Sequence, residues 1–392
     1  MNLLEENNDY LINTYSPLPL NFTYGEGSTL FADSGKGYID FTSGIGVNSL
    51  GYNNAPWKES IISQLNKFQH LSNIFTNTTT VTLAHKLIQL SNMNKVFFSN
   101  SGAEANECAI KLARKYSFDK YGENRGTIIS LKQSFHGRTL ATLTATGQDK
   151  FHKYFFPFPT GFKYVAANSI DEVKESLTSD VCAIIMEAIQ GEGGVHPLNK
   201  DFVLETSKLA AEKDILIIFD EVQCGIGRTG NLFGYNLFNV TPDIVTCAKG
   251  LGGGLPIGAV LCNEKLSKVF SPGDHGSTFG GNPIACAGAL SVLKQICTEN
   301  NYSSISEKGN FIKEILSNLN LPIIKDIRGA GLMIGIEINY DSSIVQKLCM
   351  EKGLLVLTAG KNVIRLLPPL NIAEQELKTG ANILVSALKE II

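Results

Sequence analysis

Two side chains of complementary chemistry follow neighbouring apolar runs in the middle of the sequence. Asp220 comes directly after the run ILIIF (215–219), and Lys249 follows the next such run, beside a glycine-rich loop. Either residue alone says little, because a lone lysine after a strand is usually a solvated charge and a lone aspartate there often caps a helix. Together they supply an amine that can form a Schiff base and an acid that can pair with a pyridine nitrogen, the two groups that pyridoxal 5′-phosphate (PLP) chemistry requires.

The segment Ser99-Asn100-Ser101-Gly102-Ala103-Glu104 is a candidate phosphate site. It follows a predicted strand and opens a predicted helix, and Ser101 with Glu104 matches a capping box. A turn of small residues at a helix N-terminus leaves backbone N–H groups free to bind an anion, and the helix dipole adds to the attraction. An ordinary capped helix has the same signature, so this motif alone leaves both interpretations open.

A competing motif, GIGRTG at 225–230, matches the dinucleotide fingerprint G-x-G-x-x-G. The fingerprint should open an amphipathic helix directly, but NLFGY follows it here, with Thr241-Pro242 shortly afterwards. We therefore do not expect a nicotinamide or flavin oxidoreductase.

The composition is typical of a globular enzyme. The chain has 392 residues, 43% of them hydrophobic, which suffices for a large core and for two or three packing units. Its formal net charge is -3 and it contains no block of lysine or arginine, so nucleic acid is not an expected partner. The N-terminus is acidic and no run approaches the ~20 apolar residues of a membrane span, which indicates a cytoplasmic protein that makes no membrane contact.

The cysteines and histidines indicate neither disulfides nor a metal site. The eight cysteines are scattered with no C-x-x-C pair, and several lie in apolar runs, where a free thiol behaves as a small hydrophobic group. The six histidines show no metal-ligand spacing. We expect reduced thiols and no metal.

Short β-branched runs alternate with amphipathic helical patterns through the centre of the chain. This alternation predicts βαβ units and a mostly parallel sheet, which is an α/β fold. Ligands bind at the carboxyl ends of the strands in such sheets. The chemistry should therefore collect around Ser99, Glu187, Asp220 and Lys249. The predicted strands are Lys95–Phe98, Thr127–Ser130, Val181–Met186, Ile215–Phe219, Ile244–Cys247 and Gly258–Cys262.

The two ends of the chain differ from its centre and predict a second, smaller domain. Turns rich in Gly, Pro and Asp separate short strand-like pieces before the central region, and helices with short strands follow it. We predict a large domain of residues 46–291 and a small α+β domain formed by residues 1–45 and 292–392. A long final helix is predicted from apolar residues that share one face: Leu377, Ala381, Leu384, Leu388 and Ile391.

Along nearly its whole length the sequence resembles the class III PLP-dependent aminotransferases, and within them the branch that acts on acetylornithine and succinylornithine. The match is more specific than any single motif, because many segments occur in order at plausible spacing. It implies a PLP-dependent transferase fold of the aspartate aminotransferase type. The segments are TYSPLPL, GEGSTLFADSGKGYIDF, FFSNSGAEANECAIKLARKY, SFHGRTLATLTATGQ, MEAIQGEGGV, IIFDEVQCGIGRTG, AKGLGGGLPIGA, HGSTFGGNPIACA, IRGAGLMIGIEI and VIRLLPPL.

The resemblance implies a role for each residue around the cofactor ring. Lys249 would hold PLP as a Schiff base and shuttle the proton, and Asp220 would pair with the ring nitrogen. Phe135 would stack on one face of the ring, Val222 would pack on the other, and Gln223 would reach the ring hydroxyl. The expected catalytic residues are therefore Lys249 and Asp220.

The resemblance also implies how the phosphate is bound and that two subunits share each site. The phosphate site would comprise Ser101, Gly102 and Ala103, with the backbone amides of Gly102 and Ala103 as donors. Thr278 would reach the phosphate in the neighbouring subunit, and Ser277 would lie near the substrate. A homodimer is then the smallest functional unit.

For the substrates, the resemblance implies two arginines that bind carboxylates. Arg138 would anchor the α-carboxylate of the amino donor, and Arg365 would bind the α-carboxylate of 2-oxoglutarate or glutamate; the planar guanidinium suits both tasks because it binds a carboxylate through two hydrogen bonds. Glu192 corresponds to a glutamate that gates the site, and Tyr15 to a tyrosine at its mouth.

The implied reaction transfers the δ-amino group of N2-acetyl-L-ornithine to 2-oxoglutarate, a step of arginine biosynthesis. Succinylornithine, N-succinyl-diaminopimelate, ornithine and 4-aminobutyrate remain alternative donors. One segment departs from the family, which commonly has G-H-x-H-P where this chain has Gly51-Tyr52-Asn53-Asn54-Ala55-Pro56. Since neither histidine is catalytic in the family, we expect this departure to affect local packing and not activity.

Overall fold

A computed structural model describes residues 3–391 of the chain. Its helices are α1 (Leu3–Tyr10), α2 (Ala55–Leu65), α3 (Thr78–Ser91), α4 (Gly102–Tyr121), α5 (Leu140–Ala145), α6 (Ile170–Ser176), α7 (Lys200–Glu212), α8 (Pro283–Ile296), α9 (Glu299–Asn318), α10 (Ser342–Glu351) and α11 (Glu374–Lys389). Several begin after a polar residue whose side chain accepts a backbone N–H, such as Asn77 before α3 and Asn282 before α8. None of the helices within residues 3–391 is both long and apolar enough to cross a membrane.

The strands follow the apolar runs of the sequence closely. They are β1 (Phe22–Glu26), β2 (Thr29–Ala32), β3 (Gly37–Asp40), β4 (Lys95–Ser99), β5 (Thr127–Leu131), β6 (Phe162–Val165), β7 (Val181–Met186), β8 (Ile189–Gln190), β9 (His196–Pro197), β10 (Leu216–Asp220), β11 (Ile244–Cys247), β12 (Gly258–Cys262), β13 (Ile324–Ala330), β14 (Met333–Ile338), β15 (Leu354–Leu355), β16 (Leu357–Ala359) and β17 (Val363–Leu366). The six predicted central strands are present: three have the predicted bounds, β4 and β5 each extend one residue further at the C-terminal end, and β10 is shifted by one residue at both ends. The prediction missed β6, a short edge strand.

The central sheet has seven strands in the order β4-β12-β11-β10-β7-β5-β6. Strand β12 is antiparallel to both of its neighbours, and the other pairs are parallel, which confirms the mostly parallel α/β prediction. Side chains alternate between the two faces even though the runs are continuously apolar. Leu216 and Ile218 pack with α4 on one face, whereas Ile217 and Phe219 join the larger core on the other.

The register of the parallel strands brings their carboxyl ends to one edge of the sheet. Asp220 ends β10 and pairs with Thr246 of β11, shortly before Lys249. On its other side β10 pairs with β7, which ends at Met186, directly before Glu187. The carboxylate and the amine singled out in the sequence are thus delivered by adjacent strands.

Both ends of the chain contribute to a smaller sheet of order β1-β2-β3-β15, and a further sheet has the order β13-β14-β17-β16. The division into domains at residues 45 and 291 remains a prediction. The final helix α11 buries Leu377, Ala381, Leu384 and Leu388, as predicted. It ends at Lys389, however, so the expectation that Ile391 lies within the helix was wrong; Ile391 packs against the core from the turn that follows.

The segment that departs from the family pattern is held by polar contacts of its own. The hydroxyl of Tyr52 donates a 2.6 Å hydrogen bond to Oδ2 of Asp40, a fully buried carboxylate. The Asn54 side chain caps α2 by accepting the Trp57 N–H at 3.0 Å and also pairs with Gln295. Different side chains therefore anchor this turn without the two histidines.

We predict that Tyr52→Phe lowers the free energy of unfolding by about 1 to 3 kcal/mol, because it removes a donor from a buried carboxylate. Chemical denaturation measures this change. Tyr24→Phe is a matched control, since the Tyr24 hydroxyl bonds Glu26 at 2.9 Å on the surface, and its loss should cost under about 0.5 kcal/mol. Equal losses in both variants would contradict a special role for Tyr52.

Candidate active site

A cavity of about 440 Å³ opens where the strand ends meet. It is bordered by the ends of β10 and β11, the start of α4, and the turn that follows β5. Most of the residues singled out from the sequence line it, namely Ser101, Gly102, Ala103, Phe135, Arg138, Glu192, Asp220, Val222, Gln223 and Lys249. The predicted gathering of strand ends around one site is therefore present.

Asp220 is held by hydrogen bonds to both of its carboxylate oxygens. Oδ1 accepts the Val222 N–H at 3.0 Å, and Oδ2 accepts from Asn106 Nδ2 and from His136 Nδ1, both at 2.7 Å. An ionised carboxylate only accepts, so Nδ1 is the protonated nitrogen of His136. Asn106 is fixed in turn by the Thr246 hydroxyl, which donates to its side-chain oxygen at 2.7 Å. Sequence reasoning found neither His136 nor Asn106.

Lys249 lies in a strained turn and has a lowered pKa. Its φ is +42°, in the left-handed region that residues other than glycine rarely occupy, and such strain concentrates at functional sites. Burial lowers the pKa of its amine below the ordinary value and outweighs the carboxylate of Glu192, which acts in the opposite direction. A larger share of the amine is therefore neutral and nucleophilic at neutral pH.

The start of α4 differs in one contact from the predicted capping box. The Ser101 hydroxyl accepts the Glu104 N–H at 3.2 Å, as predicted. The Glu104 carboxylate, however, accepts the N–H of Asn100 at 2.9 Å and not that of Ser101. The acid therefore closes the turn one residue earlier, which fixes Asn100 at the cavity wall.

Glu187 is a buried carboxyl that supports the opposite wall. One oxygen accepts the Phe135 N–H at 2.7 Å and the other the Gly191 N–H at 3.2 Å. Burial raises the pKa of Glu187 to about 7, against the effect of these donors and of His136. This side chain fixes the backbone that presents the Phe135 ring to the cavity.

Arg365 is buried and bound by two side chains that line the cavity. Its Nη1 donates to Glu192 at 2.6 Å and to Gln223 Oε1 at 3.1 Å. Burial alone would raise the pKa of Glu192, but the charge and hydrogen bond of Arg365 hold it below its ordinary value. The positive charge of Arg365 is thus neutralised by Glu192, whose side chain is itself partly exposed to the cavity.

Comparison with known proteins identifies the family. The family described as Aminotransferase class-III matches residues 10–388. The chain belongs to the class-III aminotransferases. It is 47% identical over 386 residues to the acetylornithine aminotransferase of Haemophilus ducreyi, a match that covers 98% of this chain and 97% of that one.

Two solved aminotransferase structures are similar to this one. The acetylornithine aminotransferase of Elizabethkingia anophelis has a TM-score of 0.88 at 33% identity, with coverage of 99% of this chain and 98% of that one. The ornithine aminotransferase of Toxoplasma gondii, described with PLP at its active site, has a TM-score of 0.96 at 28% identity, with coverage of 99% and 94%. These comparisons confirm the aminotransferase fold.

The cavity residues of this class-III aminotransferase fit PLP. They offer an amine, a buried carboxylate able to face a protonated pyridine, and a helix N-terminus for the phosphate. Gly102 is needed there for space, because a Cβ at this position would lie 2.7 Å from Cγ1 of Val222. Class-III aminotransferases use PLP, so the chain is a PLP-dependent transaminase. The role of each residue stays a prediction.

Four of the predicted site residues do not line the cavity. Tyr15 is 76% exposed and Thr278 is also exposed. Ser277 does not line the cavity but contacts a residue that does, because its hydroxyl accepts a hydrogen bond from Asn100 Nδ2 at 3.1 Å. Arg365 reaches the cavity through the Glu192 and Gln223 contacts described above.

The competing motif GIGRTG lies in turns and opens no dinucleotide-binding helix. A short 3₁₀ helix, Gly234–Phe238, follows it. The buried Glu221 carboxylate binds the start of this helix by accepting the N–H groups of Gly234 at 2.7 Å and Tyr235 at 2.8 Å. The glycines at 227 and 230 have φ values of +88° and +80°, which explains the motif as turn geometry.

We predict that His136→Leu lowers kcat about 10- to 100-fold, because a hydrogen bond to a buried charge is lost from Asp220. His136→Asn, which can present an N–H near the position of Nδ1, should recover part of this loss. The pH dependence of the visible absorption of the bound cofactor should shift in the leucine variant only. A leucine variant within twofold of wild type in kcat, with an unchanged spectrum, would contradict this positioning role.

Proposed function

We propose that this transaminase transfers the δ-amino group of N2-acetyl-L-ornithine to 2-oxoglutarate, giving N-acetyl-L-glutamate 5-semialdehyde and L-glutamate. The observation that carries the proposal is the pair Arg365–Glu192, at 2.6 Å, beside a cavity that also contains Arg138. Two substrates that differ by one carboxylate need one arginine that is always available and one that can be neutralised. The relatives named acetylornithine aminotransferase support the choice of donor.

The chain's own residues would divide the chemistry between them. PLP, when bound, supplies the aldehyde carbon that takes up the amino group and the ring that withdraws electrons from the carbon losing a proton. The amine of Lys249, whose pKa burial lowers, would take that proton and return it to the neighbouring carbon. Asp220 would keep the ring nitrogen protonated, while Phe135 and Val222 hold the ring plane between them.

In this proposal Glu192 acts as a gate. It would leave the charge of Arg365 exposed only when a substrate carboxylate is present to bind it. While acetylornithine is bound, Glu192 would stay on Arg365, because this donor presents no second carboxylate. When 2-oxoglutarate enters, its α-carboxylate would replace Glu192 and its other carboxylate would bind Arg138. One ion pair is exchanged for another, so the buried guanidinium never lies uncompensated.

A homodimer is part of the proposal. Thr278 is exposed in the single chain and lies outside its cavity, while the adjacent Ser277 contacts a cavity residue. A hydroxyl in that position is suited to reach the phosphate of a neighbouring subunit. Arginine biosynthesis in the cytoplasm is the proposed setting, and the free state of all eight cysteines agrees with a reducing compartment.

A panel of amino donors tests the substrate. In single-turnover reactions with the PLP-loaded enzyme, we expect acetylornithine to react faster than succinylornithine, ornithine, N-succinyl-diaminopimelate and 4-aminobutyrate. The signal is the loss of the visible absorption of the bound cofactor. Lys249→Ala, which lacks the amine, is the inactive control. If another donor reacts faster, that donor is the preferred substrate in place of acetylornithine, and the transaminase assignment stays intact.

Separate half-reactions test the gate. Glu192→Ala leaves Arg365 uncompensated, which should weaken discrimination in favour of acetylornithine over glutamate by roughly 1 to 3 kcal/mol. Arg365→Ala should chiefly slow the half-reaction with 2-oxoglutarate. Equal slowing of both halves in Glu192→Ala would mean that Glu192 is only structural.

A further inference from the structure

The two arginines of the site are held in different ways. Arg365 donates to Glu192 and Gln223, so part of its hydrogen-bonding edge is occupied. Arg138 forms no ion pair with any carboxylate of residues 3–391, and its guanidinium lies over two aromatic rings. One guanidinium must therefore be released before it binds a substrate, and the other is available from the start.

The rings that contact Arg138 belong to Phe135 and Phe151. Its Cζ lies 5.4 Å from the centroid of the Phe135 ring and 6.0 Å from that of Phe151. The rings also contact each other at 5.8 Å with an interplanar angle of 63°, an edge-to-face arrangement. Phe151 ends a short 3₁₀ helix, Asp149–Phe151, and is half-buried. It thus touches both the arginine and the ring expected to stack on the cofactor.

Aromatic support has a property that an ion pair lacks. A ring attracts the flat face of a guanidinium and leaves the N–H groups at its edge free, whereas a carboxylate partner would occupy them. A long, exposed side chain such as Arg138 would otherwise sample many rotamers and lose that entropy on binding. The two rings therefore orient Arg138 without competing with a substrate.

We propose that Phe151 is a positioning residue for carboxylate recognition, which holds Arg138 in its binding orientation. This inference rests on the proposed function, in which Arg138 binds one carboxylate of each substrate. Because Arg138 serves both half-reactions, a change at Phe151 weakens the binding of acetylornithine and the binding of 2-oxoglutarate equally. A change at Glu192, in contrast, affects them differently.

Binding of glutarate to the PLP-loaded enzyme isolates this effect, since glutarate has two carboxylates but no amino or keto group. We expect Phe151→Leu to raise its Kd about two- to fivefold, the range for cation–π contacts at exposed sites. KM for both substrates should rise by the same factor with kcat within twofold. Phe151→Tyr, which keeps the ring, should restore wild-type values. Phe118→Leu, on the exposed face of α4 outside the cavity, should change nothing.

Further variants show whether Phe151 acts through Arg138. In an Arg138→Gln background, Phe151→Leu should cause no additional loss. Lys150, whose Nζ lies 4.9 Å from the Phe151 centroid, is the other cation on this ring, and Lys150→Ala should leave glutarate binding unchanged. If Lys150→Ala reproduces the loss, or if Arg138→Gln weakens binding and Phe151→Leu does not, the role of Phe151 is refuted and the proposed function stands. If Arg138→Gln itself leaves glutarate binding intact, the anchor role in the proposed function is wrong as well.

Discussion

A buried carboxylate at the end of a central strand is the constraint on which this site depends. Asp220 is 3% exposed, and Glu187 and Glu221 lie close by at 5% and 1%. Burying a carboxyl group costs free energy unless hydrogen-bond donors surround it. Asp220 receives N–H groups from the backbone of Val222 and from two side chains, whereas burial raises the pKa of Glu187 to about 7 and of Glu221 to about 8. The neighbours thus take up protons near neutrality, which limits the repulsion around Asp220.

The donors that satisfy Asp220 also tie the walls of the cavity together. Asn106 belongs to α4, whose first turn is the candidate phosphate site. His136 adjoins Phe135, and its carbonyl accepts a second hydrogen bond from Asn106 at 2.8 Å. The helix start and the aromatic turn are therefore fixed to one carboxylate. Neither Glu192 nor Arg365 hydrogen-bonds to Asp220, Asn106 or His136, so the proposed exchange of their ion pair would leave these contacts in place.

The sequence revealed groups that end apolar runs and missed groups that meet only after folding. Asp220 and Lys249 were found because the apolar runs, and the polar or Gly residues that bound them, mark where each strand stops. His136 lay inside a recognised segment, but nothing local shows that its ring reaches a strand end far along the chain. Asn106 did leave a signal: it is a polar residue flanked by Ala105 on the buried side of α4, where an amide needs a tertiary partner. The role proposed for Thr278 involves a second subunit, so a single folded chain does not display it.

The strained backbone beside the cavity was not predicted from the sequence either. Ser43, Gly44, Ile45 and Gly46 have successive φ values of +48°, +61°, +66° and +76°, a left-handed turn that includes a β-branched residue. The two residues of this turn that are not glycine, Ser43 and Ile45, cost on the order of 1 to 3 kcal/mol each in this conformation. This turn packs against the strained turn at Lys249, and the Ser49 hydroxyl holds the two together by donating to the Gly250 carbonyl at 3.2 Å. The turn and Ser49 therefore hold in place the strained backbone that carries Lys249.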